Sequence, residues 1–249
     1  MARRSKKETF HNDSNQQITP RQTRKTFHLK DLKSVKPLTN NQDILFKQWQ
    51  DNPDHCFFLC GSAGTGKTFL ATYLALVDLL SEYNYFKKIV FVRSPVQVRD
   101  LGFTPGTDEE KMALYEKPYA AIFDELFPYA NSYENMKEKG MVQFESTSFL
   151  RGQTFKDALI IVDECQNMSF QELDTIATRV GEGSKIFFCG DIKQSDLNKK
   201  SSDVSGFSPF FEIIKQMTDY FSVIEFKPED IVRSGFVKSY ILQKEYLSL

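Results

Sequence analysis

Cys56-Phe57-Phe58-Leu59-Cys60-Gly61-Ser62-Ala63-Gly64-Thr65-Gly66-Lys67-Thr68-Phe69-Leu70-Ala71 passes from an apolar run through a glycine-rich loop into helix-forming sequence. Gly61 to Thr68 fits the pattern G-x-x-x-x-G-K-[ST], with one further glycine at Gly64. The pattern is physically demanding. Successive backbone N–H groups must turn inward around a polyphosphate, and a Cβ at the glycine positions would obstruct the turn or the phosphate. Gly61, Ser62, Ala63, Gly64, Thr65, Gly66, Lys67 and Thr68 are therefore expected to cradle a nucleotide. Lys67 would neutralise its β and γ phosphates, and the Thr68 hydroxyl would help to hold Mg²⁺. The run before the loop reads as a buried strand and the run after it as a helix, whose N-terminus adds partial positive charge to the same place.

Outward from this unit, four more short apolar runs read as strands: 88–93, 158–163, 185–189 and 221–226. They lack alternation and are separated by helical stretches, one of them opened by Ser169 with Glu172 three residues on as a capping box. A helix is expected at about 209–217 and another from about 231 to the end. Unalternating strands between helices indicate an α/β fold, a mainly parallel sheet of about five strands with helices on both faces. Residues 94–150 are less regular, with an amphipathic piece at 118–127 and a charged piece at 133–139; a stretch this long inside an α/β core is expected to carry function.

The chain has 249 residues, 41% of them hydrophobic, enough for one substantial core. Its net charge of -1 hides an asymmetry, because residues 1–40 carry ten Lys or Arg against three acidic residues. Residues 1–36 read as a basic, mostly disordered leader, either gripping phosphate backbones or simply solvated, and 37–249 as the folded domain with a functional segment at 94–155. The leader has no apolar core of the signal-peptide kind. No apolar run approaches the length of a membrane span, and Cys56, Cys60, Cys165 and Cys189 lie within or beside apolar runs rather than at metal spacing. These features point to small buried thiols in a reducing cytoplasm. The three histidines are scattered and suggest no histidine-based catalysis.

Asp163-Glu164 follows an apolar strand, and strand C-termini are where open parallel sheets bind ligands. Asp163 would hold Mg²⁺ through water, and Glu164 would polarise the attacking water. Gly190-Asp191-Ile192-Lys193-Gln194 ends a strand expected between those bearing the loop and the acid pair, which would bring Gln194 near the γ-phosphate.

Several segments together resemble the PhoH-like family. They are Gly61 to Thr68, Arg93-Ser94-Pro95-Val96, Leu101 to Gly106 with Lys111, Phe149 to Phe155, Asp163 to Asn167, and Gly190 to Leu197. Cys165 stands where members of the family often carry alanine. The resemblance implies a RecA-like core similar to superfamily 1 helicase motors, ATP and Mg²⁺ as cofactors, ATP hydrolysis, and RNA or single-stranded DNA as client. It also implies an adenine-reading role for Gln42, although a plain helix-start glutamine fits the residues equally well. Arg99, Lys111 and Arg151 are the candidate nucleic-acid phosphate ligands, with Phe103 and Phe149 as stacking candidates. Asp230 to Ser234 resembles a motor segment whose arginine reaches the γ-phosphate, so Arg233 is the candidate finger. With few residues after it, Arg233 would act either within its own chain or across an interface in a homo-oligomer such as a hexameric ring, with Arg179 as its rival and a plain surface-helix start as the other reading. The other functional reading is a slow nucleotide-state switch that recruits a protein partner. A small-molecule phosphotransferase is disfavoured, because no acceptor pocket is discernible.

Overall fold

The structure, a computed structural model, describes residues 26–83, 85–94, 108–150, 152, 154–191 and 206–247, with backbone alone at 108–111, 149 and 245. Strands β1 (Cys56–Gly61), β2 (Lys88–Arg93), β3 (Val142–Ser146), β4 (Ala158–Val162), β5 (Lys185–Gly190) and β6 (Phe221–Phe226) form one sheet. Their order is β3-β2-β4-β5-β1-β6, and every adjacent pair is parallel. The helices are α1 (Asn40–Asp51), α2 (Lys67–Leu80), α3 (Asp108–Leu126), α4 (Ser132–Glu138), α5 (Phe170–Ala177), α6 (Phe207–Gln216) and α7 (Gly235–Tyr246).

The central strands lack alternation because both of their faces are covered. Phe57 and Leu59 of β1 pack with α2, α3 and α4, whereas Phe58 and Cys60 pack with α5 and α6. Phe57, Phe58 and Leu59 are wholly buried, which stabilises the fold by about 1.5–3 kcal/mol per side chain. Phe58 alone stacks on Phe188 and contacts Phe207, Phe210 and Phe211. That aromatic block fixes β1 against β5 and so fixes the loop that follows β1.

The expected count of about five strands rises to six. The additional strand is β3, which pairs with β2 from Ile89–Val142 to Arg93–Ser146. Much of the 94–155 stretch is thus core rather than an appendage: it supplies an edge strand and two packed helices. α3 starts well before the amphipathic piece expected at 118–127 and runs through Pro118. The last helix begins at Gly235, not near Ile231. Residues 26–36, expected as the end of a leader, lie on the domain. Phe27 is buried edge-to-face on Phe127 at 5.4 Å, and the Lys33 N–H donates to the Leu126 carbonyl at 2.9 Å.

Candidate nucleotide site

The loop after β1 takes its shape from backbone constraints. Gly61 has φ 131°, and a Cβ there would lie 2.0 Å from the Phe226 carbonyl oxygen of β6. Only glycine allows β1 and β6 to stay paired while the chain turns. Gly64 has φ 80°, and a Cβ on it would lie 3.0 Å from Cγ of Arg233. The Lys67 ammonium reaches back across the loop to the carbonyls of Gly61 at 2.7 Å and Ser62 at 2.8 Å. Among the described residues, the buried Ser62 hydroxyl has no hydrogen-bond partner, a polar atom suited to an incoming phosphate oxygen.

β5 lies between β1 and β4, as expected from the sequence, so the loop and the acid pair share the C-terminal edge of the sheet. The Thr68 hydroxyl donates to Oδ1 of Asp163 at 2.6 Å, and the Tyr119 hydroxyl donates to Oδ2 at 3.1 Å. Burial raises the Asp163 carboxyl above its ordinary range, and the Thr68 hydrogen bond offsets part of the rise. Burial and then the neighbouring Asp163 charge push Tyr119 well above the usual phenol range, so it stays protonated as a donor. Glu164 adopts a left-handed backbone conformation, φ 53°, a strain of about 1–2 kcal/mol of the kind that functional sites tolerate. Its Oε2 accepts from the Gln166 amide at 2.6 Å, while the Gln166 carbonyl oxygen accepts the Asp191 N–H at 3.0 Å. Gln166 therefore links the acid pair to the end of β5.

Opposite these groups, Gln42 is buried at the start of α1. Its Nε2 donates to the Thr65 carbonyl at 3.1 Å, and its Oε1 accepts from the Leu38 N–H at 2.8 Å. The amide thus props the phosphate loop, and the reading as a base contact is joined by a structural one. Asp230 accepts from the Asn41 amide at 2.6 Å and from the Lys227 N–H at 2.8 Å. The Val232 N–H donates to the Gly64 carbonyl at 3.0 Å. These contacts lay residues 230–233 over the loop of their own chain.

A cleft of about 680 Å³ results, in the usual range for a cofactor site. It brings together Gln42, Ala63, Gly64, Gly66, Lys67, Thr68, Asp163, Glu164 and Arg233 of the sequence-nominated residues. Gly61, Ser62 and Thr65 form the remainder of the loop. Gln194, Arg99, Phe103 and Arg151 lie outside the described residues, as do the side chains of Lys111 and Phe149. Arg179 sits elsewhere. Its carbonyl accepts the Phe155 N–H ahead of β4, at the end of the sheet opposite Asp163, so it does not serve its own chain's cleft. Sequence reasoning assigned no role to Tyr119 or Gln166; only the placement of Gln166 two residues beyond Glu164 hinted at its part.

Fold and site together define a P-loop nucleotide-binding domain of the α/β class. The chain belongs to the PhoH-like protein family, whose model matches residues 34–244. The PhoH-like protein of Bacillus subtilis (strain 168) is 37% identical over 186 residues, covering 74% of this chain and 56% of its own length. The PhoH-like protein of Mycobacterium leprae is 33% identical over 213 residues, 84% of this chain and 58% of that protein. Protein PhoH of Escherichia coli (strain K12) is 33% identical over 180 residues, 72% of this chain and 49% of its own length. The chain thus spans about half the length of the curated relatives it matches. Among solved structures, Pif1 helicase from Candida albicans is 19% identical at a TM-score of 0.43, over 86% of this chain and 44% of that one. Among the described residues, no helix is long and apolar enough to cross a membrane.

Proposed function

We propose that this domain binds ATP with Mg²⁺ and hydrolyses it, and that the hydrolysis is coupled to RNA or single-stranded DNA. The observation that carries the reading is the 2.6 Å contact between Thr68 of the loop and Asp163 at the end of β4, with Glu164 beside it in the same cleft. Thr68 and Asp163 are the pair that would hold Mg²⁺, which when bound supplies positive charge against the phosphate oxygens. Lys67 leaves the two loop carbonyls for the β and γ phosphates. Glu164, oriented by Gln166, takes the proton of the attacking water. Arg233 lies over Gly64 and adds a further cation beside the phosphates.

Support for a nucleic-acid client comes from the sequence resemblance noted above and from the basic and aromatic residues nominated between 94 and 155. The test is the ATPase rate over a panel of RNA, single-stranded DNA and duplexes at two salt concentrations. Stimulation by single strands is expected, and the polymer affinity behind it should fall with salt by a log-log slope of about -0.7 per neutralised phosphate. Equal rates with every polymer and with none favour the switch reading.

Arg233 is at its own chain's cleft, so a neighbouring copy is not needed to bring it there. Mixing Lys67→Ala with Arg233→Ala under subunit exchange should therefore recover no activity. Recovery would place Arg233 across an interface and favour the homo-oligomeric ring.

A further inference from the structure

Asp163 is 6% exposed, and each of its oxygens accepts a hydroxyl donor. One donor, Thr68, belongs to the phosphate loop. The other, Tyr119, lies 44 residues earlier in the chain, on α3. The Tyr119 ring is wholly buried, stacks on Phe91 of β2 at 4.2 Å and lies 5.9 Å from Phe144 of β3. Its hydroxyl is also hydrogen-bonded to Arg93, the last residue of β2. Pro118, just before Tyr119, and Ala121 and Ile122 just after it line the nucleotide cleft. A line of contacts therefore runs from the end of β2, through the tyrosine hydroxyl, to the carboxylate that faces Thr68.

A carboxylate held at one oxygen only can rotate about its Cβ–Cγ bond. A second donor at the other oxygen removes that freedom and fixes which lone pairs face the cleft. Packing alone would have been served by phenylalanine, whose ring fills the same space. A buried phenol needs a hydrogen-bond partner to repay its desolvation. Here the partners are the carboxylate of the acid pair, which accepts the phenol proton, and Arg93.

We propose that Tyr119 is a positioning residue for Asp163: its hydroxyl fixes the carboxylate for a magnesium nucleotide and ties that carboxylate to β2 and to α3, the latter within the 94–155 segment expected to meet nucleic acid. The inference rests on the reading of the cleft as a magnesium–nucleotide site.

The test is Tyr119→Phe, which deletes one oxygen and keeps the ring stack. Binding of a fluorescent ADP analogue is titrated in EDTA and across a Mg²⁺ series, with circular dichroism to confirm folding. Affinity in EDTA should stay within about twofold, whereas the Mg²⁺ concentration at half-maximal effect should rise about tenfold, the usual scale for losing a partner of a metal-holding side chain. In turnover, kcat should fall with little change in KM, and stimulation by single-stranded RNA should shrink. Phe144→Leu disturbs the same ring packing while sparing the hydroxyl, so it should lower stability and leave the Mg²⁺ midpoint in place. An unchanged midpoint in folded Tyr119→Phe, or an equal shift in Phe144→Leu, overturns the proposal. If the parent protein binds the analogue with Mg²⁺ dependence but does not hydrolyse ATP, the ATPase reading fails while the midpoint still decides the role of Tyr119. If the parent shows no Mg²⁺ dependence, both fail.

Discussion

The two sides of the sheet's C-terminal edge are held by different means. On the β1 side, the phosphate loop keeps its shape through backbone geometry: Gly61 abuts the Phe226 carbonyl, and the Gly64 carbonyl receives the Val232 N–H. On the β2–β3–β4 side, side chains meet across long sequence separations. Tyr119 reaches Asp163, and Glu172 gathers the Ser94 hydroxyl at 3.0 Å and the Thr147 hydroxyl at 2.6 Å besides capping its own helix at the Ser169 N–H, 2.8 Å. A backbone-built site tolerates no added atom where chains approach. A side-chain-built one loses a donor or acceptor at a time, and its losses should be graded.

Gly61→Ala is the most severe challenge to the backbone side. A Cβ 2.0 Å from the Phe226 oxygen cannot be accommodated without separating β1 from β6, so a loss of roughly 3 kcal/mol or more is expected. Urea unfolding, or failure to recover folded protein, reads it out. A stable Gly61→Ala protein would show that the loop can relax. Next, Lys67→Ala should keep the fold yet weaken ATP binding about 100-fold, roughly 3 kcal/mol, as measured by fluorescent-nucleotide titration.

On the side-chain side, Glu172→Gln should cost about 1–2 kcal/mol at neutral pH, because a charged acceptor of several hydrogen bonds is replaced by a neutral one. Burial pushes the Glu172 carboxyl up, but its hydrogen bonds to Thr147, Ser169 and Ser94 outweigh this and leave it below the ordinary value. A depressed carboxylate stabilises the fold at pH values above its unfolded pKa. That contribution fades as pH falls below about 4 through the folded value. Urea midpoints of parent and Glu172→Gln should therefore differ at pH 7 and converge towards pH 3; a gap that persists in acid would mean that the carboxylate charge is not what Glu172 contributes.

What was legible in the sequence follows the same division. Gly61 to Thr68, Asp163-Glu164 and the Ser169–Glu172 capping box are local patterns, and the doubly buried strands announce themselves as unbroken apolar runs. β3, in contrast, is Val142-Gln143-Phe144-Glu145-Ser146, a short mixed strand at the sheet's edge. α3 carries Pro118 and long charged stretches, so its apolar stripe is thin and its period obscure. Phe27 gave no sign of docking because its partner, Phe127, is a hundred residues away. The Tyr119–Asp163 contact has no local signature. A tyrosine in an amphipathic helix looks like any core aromatic until the fold sets it against a carboxylate.

In the proposed hydrolytic cleft, Glu164 acts on water rather than gripping the nucleotide. Glu164→Gln tests this role most directly when ATP affinity and single-turnover hydrolysis are measured on the same preparation. Affinity within about threefold of the parent and a hydrolysis rate lower by about 100-fold, near 3 kcal/mol of barrier, are expected. Hydrolysis at the parent rate would contradict that role.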